Sequence, residues 1–124
     1  MKEVNLACES FRALLEEQLA RIANMSGEKV DFTRKETVTI GLIDGDGIGP
    51  IIMEQAVRVL EKLLSEEIKD GTVILKRIDG LTIENRLALG ESVPKEVLTQ
   101  IKSCDVLLKG PTTTPMGGKW KAPM

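Results

Sequence analysis

The chain has no histidine and no tyrosine. Their absence removes the commonest general base and the phenolic acid from any self-contained mechanism, leaving Lys, Asp, Glu or Cys to move protons. The aromatic side chains are Phe11, Phe32 and Trp120, too few for a base-stacking platform or an aromatic cage. An excess of one charge is missing as well: 17 basic and 19 acidic residues are interspersed, for a net charge of −2. No basic face recommends nucleic acid as a partner. Lys2, Glu3 and Glu9 interrupt the first ten residues, so no uninterrupted apolar signal segment opens the chain, and the expected setting is the cytoplasm without membrane attachment. Cysteine is scarce. Cys8 and Cys104 lie far apart with no histidine to join them as metal ligands, and read as buried or idle thiols.

What is present is one domain's worth of chain, 124 residues with 42% hydrophobic content, enough to bury a core. Over residues 4–25, Val4, Ala7, Phe11, Leu14, Leu15, Leu19, Ile22 and Met25 recur at three- and four-residue steps between Glu9, Arg12, Glu16, Glu17 and Arg21. This spacing predicts a single amphipathic helix about 33 Å long, ended by Ser26-Gly27. Residues 1–27 therefore form an N-terminal helical arm, 28–36 a polar connector, and 37–124 an α/β part. The arm's apolar stripe has two readings, packing on its own domain or docking on another subunit.

Val38–Ile43 is apolar at nearly every position, as a central parallel strand is when both its faces are covered. A helix follows from Pro50, with Met53, Ala56, Val57, Leu60, Leu63 and Leu64 as its buried stripe. Asp70-Gly71 turns the chain into a second strand over 72–78, completing a βαβ unit of the usual right-handed kind. A short helix over Ile83–Leu89 capped by Thr82, a helix opened by Pro94 and running through Ile101, and a third strand over 104–108 complete the order.

Two motifs sit at strand ends. The first, Asp44-Gly45-Asp46-Gly47-Ile48-Gly49-Pro50, is a glycine turn between a strand and a helix N-terminus, a place where backbone N–H groups can meet a ligand. Its glycine spacing is one residue shorter than the dinucleotide fingerprint G-x-G-x-x-G, so it is not a Rossmann loop. Asp44 and Asp46 would repel a phosphate lying directly on it unless a metal or cation intervened. It reads either as a ligand loop or as a tight turn. The second motif, Lys109-Gly110-Pro111-Thr112-Thr113-Thr114-Pro115, leaves the third strand at its C-terminal end, where parallel sheets place their binding crevices. Lys109 could offer charge to a carboxylate or phosphate and the threonines offer hydroxyls. The alternative is a rigid surface turn.

Together, residues 43–50 and 108–115 on these elements resemble the decarboxylating isocitrate and 3-isopropylmalate dehydrogenase family. Gly80-Leu81-Thr82-Ile83-Glu84-Asn85-Arg86 and the three threonines are more similar to bacterial isocitrate dehydrogenases, and the arm looks like the extension some bacterial members carry. The resemblance covers most of this chain but only the N-terminal third or so of a family member. It implies part of an α/β sandwich with a parallel-type sheet and flanking helices, distinct from the Rossmann fold. It also implies oxidation and decarboxylation of a metal-bound 2-hydroxy acid with NAD or NADP and Mg2+ or Mn2+, in a homodimer. Ile48 then matches the glycine-loop residue near the nicotinamide. Thr113 and Thr114 match threonines that hydrogen-bond around the nicotinamide ribose, and Lys109 matches a lysine at the junction of substrate and cofactor.

This sequence departs from the family pattern after Pro115, where a Ser-x-Asn-x-x-x-Arg substrate clamp is expected and Met116-Gly117-Gly118-Lys119-Trp120-Lys121 stands instead. The family's catalytic tyrosine and lysine, its metal-holding aspartates and its adenine loop come from later sequence. No catalytic group and no metal ligand is therefore expected in this chain, and the isolated chain is expected to be inactive. The alternatives are a 3-isopropylmalate dehydrogenase segment, or a non-catalytic truncated paralogue acting as a binding or assembly module.

Overall fold

The computed structural model describes residues 1–25, 27 and 30–116; Ser26, positions 28 and 29, and 117–124, Trp120 among them, lie outside the described residues. Its centre is β1 (Val38–Ile43), paired in parallel with β2 (Val73–Arg77) on one side and β3 (Val106–Lys109) on the other. The 3-stranded order β2-β1-β3 explains why β1 is apolar at nearly every position. Successive side chains of a strand face opposite ways, and here both directions meet a core. Leu42, with Ile40, Leu75 and Leu108 beside it, packs against Met53 and Val57 of α2 (Gly49–Leu63). Ile43 faces the other way, into a cluster with Ile78, Leu81 and Val97, the last on α5 (Lys95–Lys102). The expected sheet with helices on both faces is thus present.

The helix after the glycine turn starts one residue before Pro50 and buries less than its sequence suggested. Met53 and Val57 are buried and Leu60 partly so, but Ala56 and Leu63 are exposed. A sheet of short strands meets only one arc of α2. The chain then breaks at Leu64, and a separate, unanticipated helix α3 (Ser65–Asp70) precedes Gly71. Replacing Met53, which is 3% exposed, by alanine should cost about 2–5 kcal/mol in chemical denaturation. A loss below about 1 kcal/mol would mean that α2 is not seated on the sheet through this residue.

α4 (Ile83–Leu89) has the expected bounds, and the Thr82 hydroxyl accepts from the Asn85 N–H. β2 and β3 are shorter than expected at their N-terminal ends, because position 72 belongs to the turn and Asp105 acts as an anchor. Its carboxylate accepts from the Thr39 N–H at 2.9 Å and pairs with Lys35.

The chain divides into two units, one over residues 1–31 and one starting at Phe32. The first contains α1 (Lys2–Ala23), 22 residues closed by Asn24 rather than reaching Met25. Glu3 in its first turn and Arg21 in its last suit the helix dipole. None of its residues is buried, and Val4, Phe11, Leu19 and Ile22 of the stripe are exposed. The second unit opens with a 3-10 turn, Phe32–Arg34, within the stretch expected as connector. Cys8 is exposed rather than buried, and Cys104 is intermediate.

Candidate functional site

Because the strands are parallel, their C-terminal ends lie along one edge of the sheet, and each releases a loop there. β1 releases the glycine turn, β2 the segment leading to Thr82 and α4, and β3 the threonine loop. The three loops are tied to one another by Asp46. Its Oδ1 accepts from the Ile83 N–H at 2.7 Å, its Oδ2 accepts from the Thr113 N–H at 2.9 Å, and its own N–H donates to the Pro111 carbonyl at 2.7 Å. The Ile83 bond caps the N-terminus of α4, where a carboxylate is favoured.

Arg86 completes the junction. One guanidinium nitrogen donates to the Thr113 carbonyl at 3.0 Å and lies 3.7 Å from Asp46 Oδ2, while Nε donates to the Ser92 carbonyl at 3.0 Å. Asp46 and Arg86, 8% and 9% exposed, are the buried polar or charged residues among those described. Burial raises the Asp46 carboxyl, but the Thr113 and Ile83 N–H groups, the Arg86 charge and the Lys109 charge together outweigh it, so Asp46 titrates below the ordinary carboxylate value.

These contacts supply cations for both carboxylates of the glycine turn. Asp44 is held by Arg77 through contacts of 2.9 and 3.0 Å, and Asp46 is neutralised as above. Each carboxylate therefore has a cation of its own, and the repulsion expected from two bare negative charges is not the turn's electrostatics. The space left by missing Cβ atoms is filled by protein: a Cβ on Gly45 would stand 2.1 Å from the Pro111 carbonyl oxygen, and one on Gly110 would stand 2.1 Å from that of Asp44. The glycines let the two loops touch.

Of the residues singled out from sequence, Ile48 lies just before α2 and is 62% exposed. Thr113 and Thr114 are exposed, and it is the backbone of Thr113, not its hydroxyl, that meets Asp46 and Arg86. Lys109 is folded onto its own loop, its ammonium donating to the Gly110 carbonyl at 2.8 Å and to the Thr112 hydroxyl at 3.4 Å. Sequence reasoning missed the linking role of Asp46 and Arg86. Both stood inside quoted motifs, but their partners lie up to 67 positions away. A cleft of 120 Å³ at the same edge is lined by Ile43, Asp44, Ile78, Asp79 and Thr82 among others. It is well below the roughly 300 Å³ at which ligand pockets begin. Among the described residues no three His, Cys, Asp or Glu side chains gather to hold a metal ion, and no helix is long and apolar enough to cross a membrane.

This arrangement defines a parallel α/β protein whose loops gather at the C-terminal edge of its sheet, the edge where such sheets bind ligands. More particularly, the chain belongs to the isocitrate/isopropylmalate dehydrogenase family, whose model matches residues 39–123. It is similar to the isocitrate dehydrogenase [NADP] of Thermus thermophilus, 31% identical over 100 residues, covering 77% of this chain and 18% of that protein. The Staphylococcus epidermidis isocitrate dehydrogenase [NADP] is 38% identical over 100 residues, covering 76% and 24%. The Saccharolobus solfataricus 3-isopropylmalate dehydrogenase is 31% identical over 83 residues, covering 60% and 21%. Among solved structures, the apo β-decarboxylating dehydrogenase of Thermococcus kodakarensis superimposes with a TM-score of 0.51 at 32% identity, over 65% of this chain and 22% of that one. The chain therefore spans 18% to 24% of the length of these relatives.

Proposed function

We propose that this chain forms one border of the crevice in which an isocitrate dehydrogenase oxidises and decarboxylates its substrate with NAD or NADP. The observation that carries the reading is the joining of the glycine turn and the threonine loop by Asp46, with Ile48, Thr113 and Thr114 exposed on the joined surface. An exposed apolar side chain beside two hydroxyl-bearing residues suits the nicotinamide and ribose of the cofactor, which accepts the hydride when bound. Lys109 contributes positive charge where a substrate carboxylate would lie. This requires its ammonium to leave the Gly110 carbonyl, a bond within its own loop. A divalent ion, Mg2+ or Mn2+, is assigned to ligands outside this chain. A homodimer and a cytoplasmic setting belong to the same reading. Residues 1–27 would be its arm, 28–36 its connector and 37–124 the beginning of its large domain.

The similarity to a 3-isopropylmalate dehydrogenase keeps that substrate as the second reading. The substrate clamp that would separate the two is not among the residues of this chain. Two measurements test the proposal. The 124-residue chain supplied with isocitrate, NAD or NADP and Mg2+ or Mn2+ is expected to give no cofactor reduction, since its sequence has no Ser-x-Asn-x-x-x-Arg clamp and no metal cage forms among its described residues; robust reduction would overturn the assignment of those parts elsewhere. NADP+ added to the isotopically labelled chain is expected to shift the amide resonances of Ile48, Thr113 and Thr114. Shifts confined to other residues would sink the proposed border.

A further inference from the structure

The proposed border has exposed residues that would touch a cofactor and a buried pair that touches none, and the pair is placed where it governs the others. Arg86 and Asp46 hold the two peptide groups that flank the Thr113 Cα: the guanidinium donates to the Thr113 carbonyl at 3.0 Å and the carboxylate accepts from the Thr113 N–H at 2.9 Å. With the planar peptide groups on both sides of its Cα held, Thr113 has fixed backbone dihedrals, and these set the direction of its side chain and the plane from which Thr114 departs. The same pair reaches the first residue of α4 through Ile83 and the segment after α4 through Ser92. The threonine loop is thereby registered against a helix as well as against the glycine turn. The exposed hydroxyls have no such support of their own among the described residues.

We propose that Arg86 is a positioning residue for cofactor binding, acting through Asp46 and the two peptide groups flanking the Thr113 Cα to hold Thr113 and Thr114 in a binding arrangement. The proposal rests on the cofactor reading given above. Arginine is suited to the task and lysine is not, because only the planar fork can donate in separate fixed directions to Thr113 and Ser92. The loop is thus ordered before a ligand arrives, and the cost of ordering it is not charged to binding.

The test uses the 124-residue chain and its Arg86→Lys and Arg86→Met variants, with NADP+ as the probe and amide NMR and hydrogen exchange as the readouts. In the unsubstituted chain the Thr113 and Ile83 amide shifts should follow the acid titration of the Asp46 carboxyl carbon, with Arg86 and Lys109 as the charged groups facing it. If the Thr113 amide ignores that titration, the linkage is absent and the proposal falls; this measurement needs no substitution and holds even if a variant fails to fold. In both variants the Thr113 amide should lose exchange protection while those of Gly41 and Leu42 in β1 keep theirs. The NADP+ dissociation constant should then rise about tenfold, the effect of losing one well-placed hydrogen bond. Unchanged affinity in an Arg86→Lys chain whose Thr113 amide has lost protection overturns the positioning role alone. Absence of NADP+-induced shifts at Ile48, Thr113 and Thr114 in the unsubstituted chain overturns the cofactor reading beneath it.

Discussion

Gly45→Ala is expected to destabilise the chain by roughly 3 kcal/mol or more, the combined scale of a left-handed alanine and an overpacked contact. Gly45 has φ +77, and its added Cβ would stand 2.1 Å from the Pro111 carbonyl oxygen and 3.0 Å from the Pro111 carbonyl carbon. These are backbone atoms and cannot rotate aside. Relief would require the glycine turn and the threonine loop to separate, breaking the 2.7 Å bond from the Asp46 N–H to the same carbonyl. Gly47 provides the control. Its φ is +59 and a Cβ there would meet nothing within 4 Å, so Gly47→Ala should cost only about 1 kcal/mol. Urea denaturation of the two variants separates conformational strain from loss of loop contact. Equal costs would refute the claim that Gly45 serves the closeness of the loops.

Asp46→Ala should produce a loss of similar or greater size, roughly 3–5 kcal/mol, the range for removing one partner of a buried charge pair. It would strip the Ile83 and Thr113 N–H groups of their acceptor and leave Arg86 without its carboxylate. Asp46→Asn keeps one oxygen acceptor and should cost less, but it also abolishes a titration. The folded Asp46 carboxyl titrates below its unfolded value, so its contribution is fully present above the unfolded value, about 3.9. That contribution is lost as pH falls through the lower folded value. Denaturation midpoints between pH 7 and pH 3 should therefore fall more steeply for the unsubstituted chain than for Asp46→Asn. Parallel curves would show that Asp46 is not held as described. Asp70 and Asp105 also titrate below their ordinary values, and they supply the acid dependence that both chains retain.

The sheet and its helices were legible because their signals are local. The apolar run of β1, the Thr82 cap and the apolar positions Met53 and Val57 each declare their role within a few residues. The extent of burial was less legible. Ala56 and Leu63 share the periodicity of Met53 and Val57, and only the width of the surface opposite decides which of them is covered. The separate helix α3 was hidden for a related reason: nothing in residues 65–70 marks the break that Leu64 makes.

At the site, the glycine turn and the threonine loop stood out from composition, but the cations beside the turn's carboxylates did not. A carboxylate in a loop looks like an open negative charge until its counterion is known, and here the counterions Arg77 and Arg86 come from β2 and α4. Lys109, Thr113 and Thr114 were singled out by their place after the third strand, and the resemblance added Ile48 and a role for each. Asp46 and Arg86 could enter only once the chain was folded, because each acts by joining segments that the sequence keeps apart.

A carboxylate shared by three loops also limits how this border can be rebuilt. Asp46 contacts Ile83, Thr113 and Pro111 at once, so transplanting the glycine turn alone into a foreign scaffold would carry the hub without its spokes. A graft, a chimera or an evolutionary exchange at this edge has to move all three segments as one inheritable block.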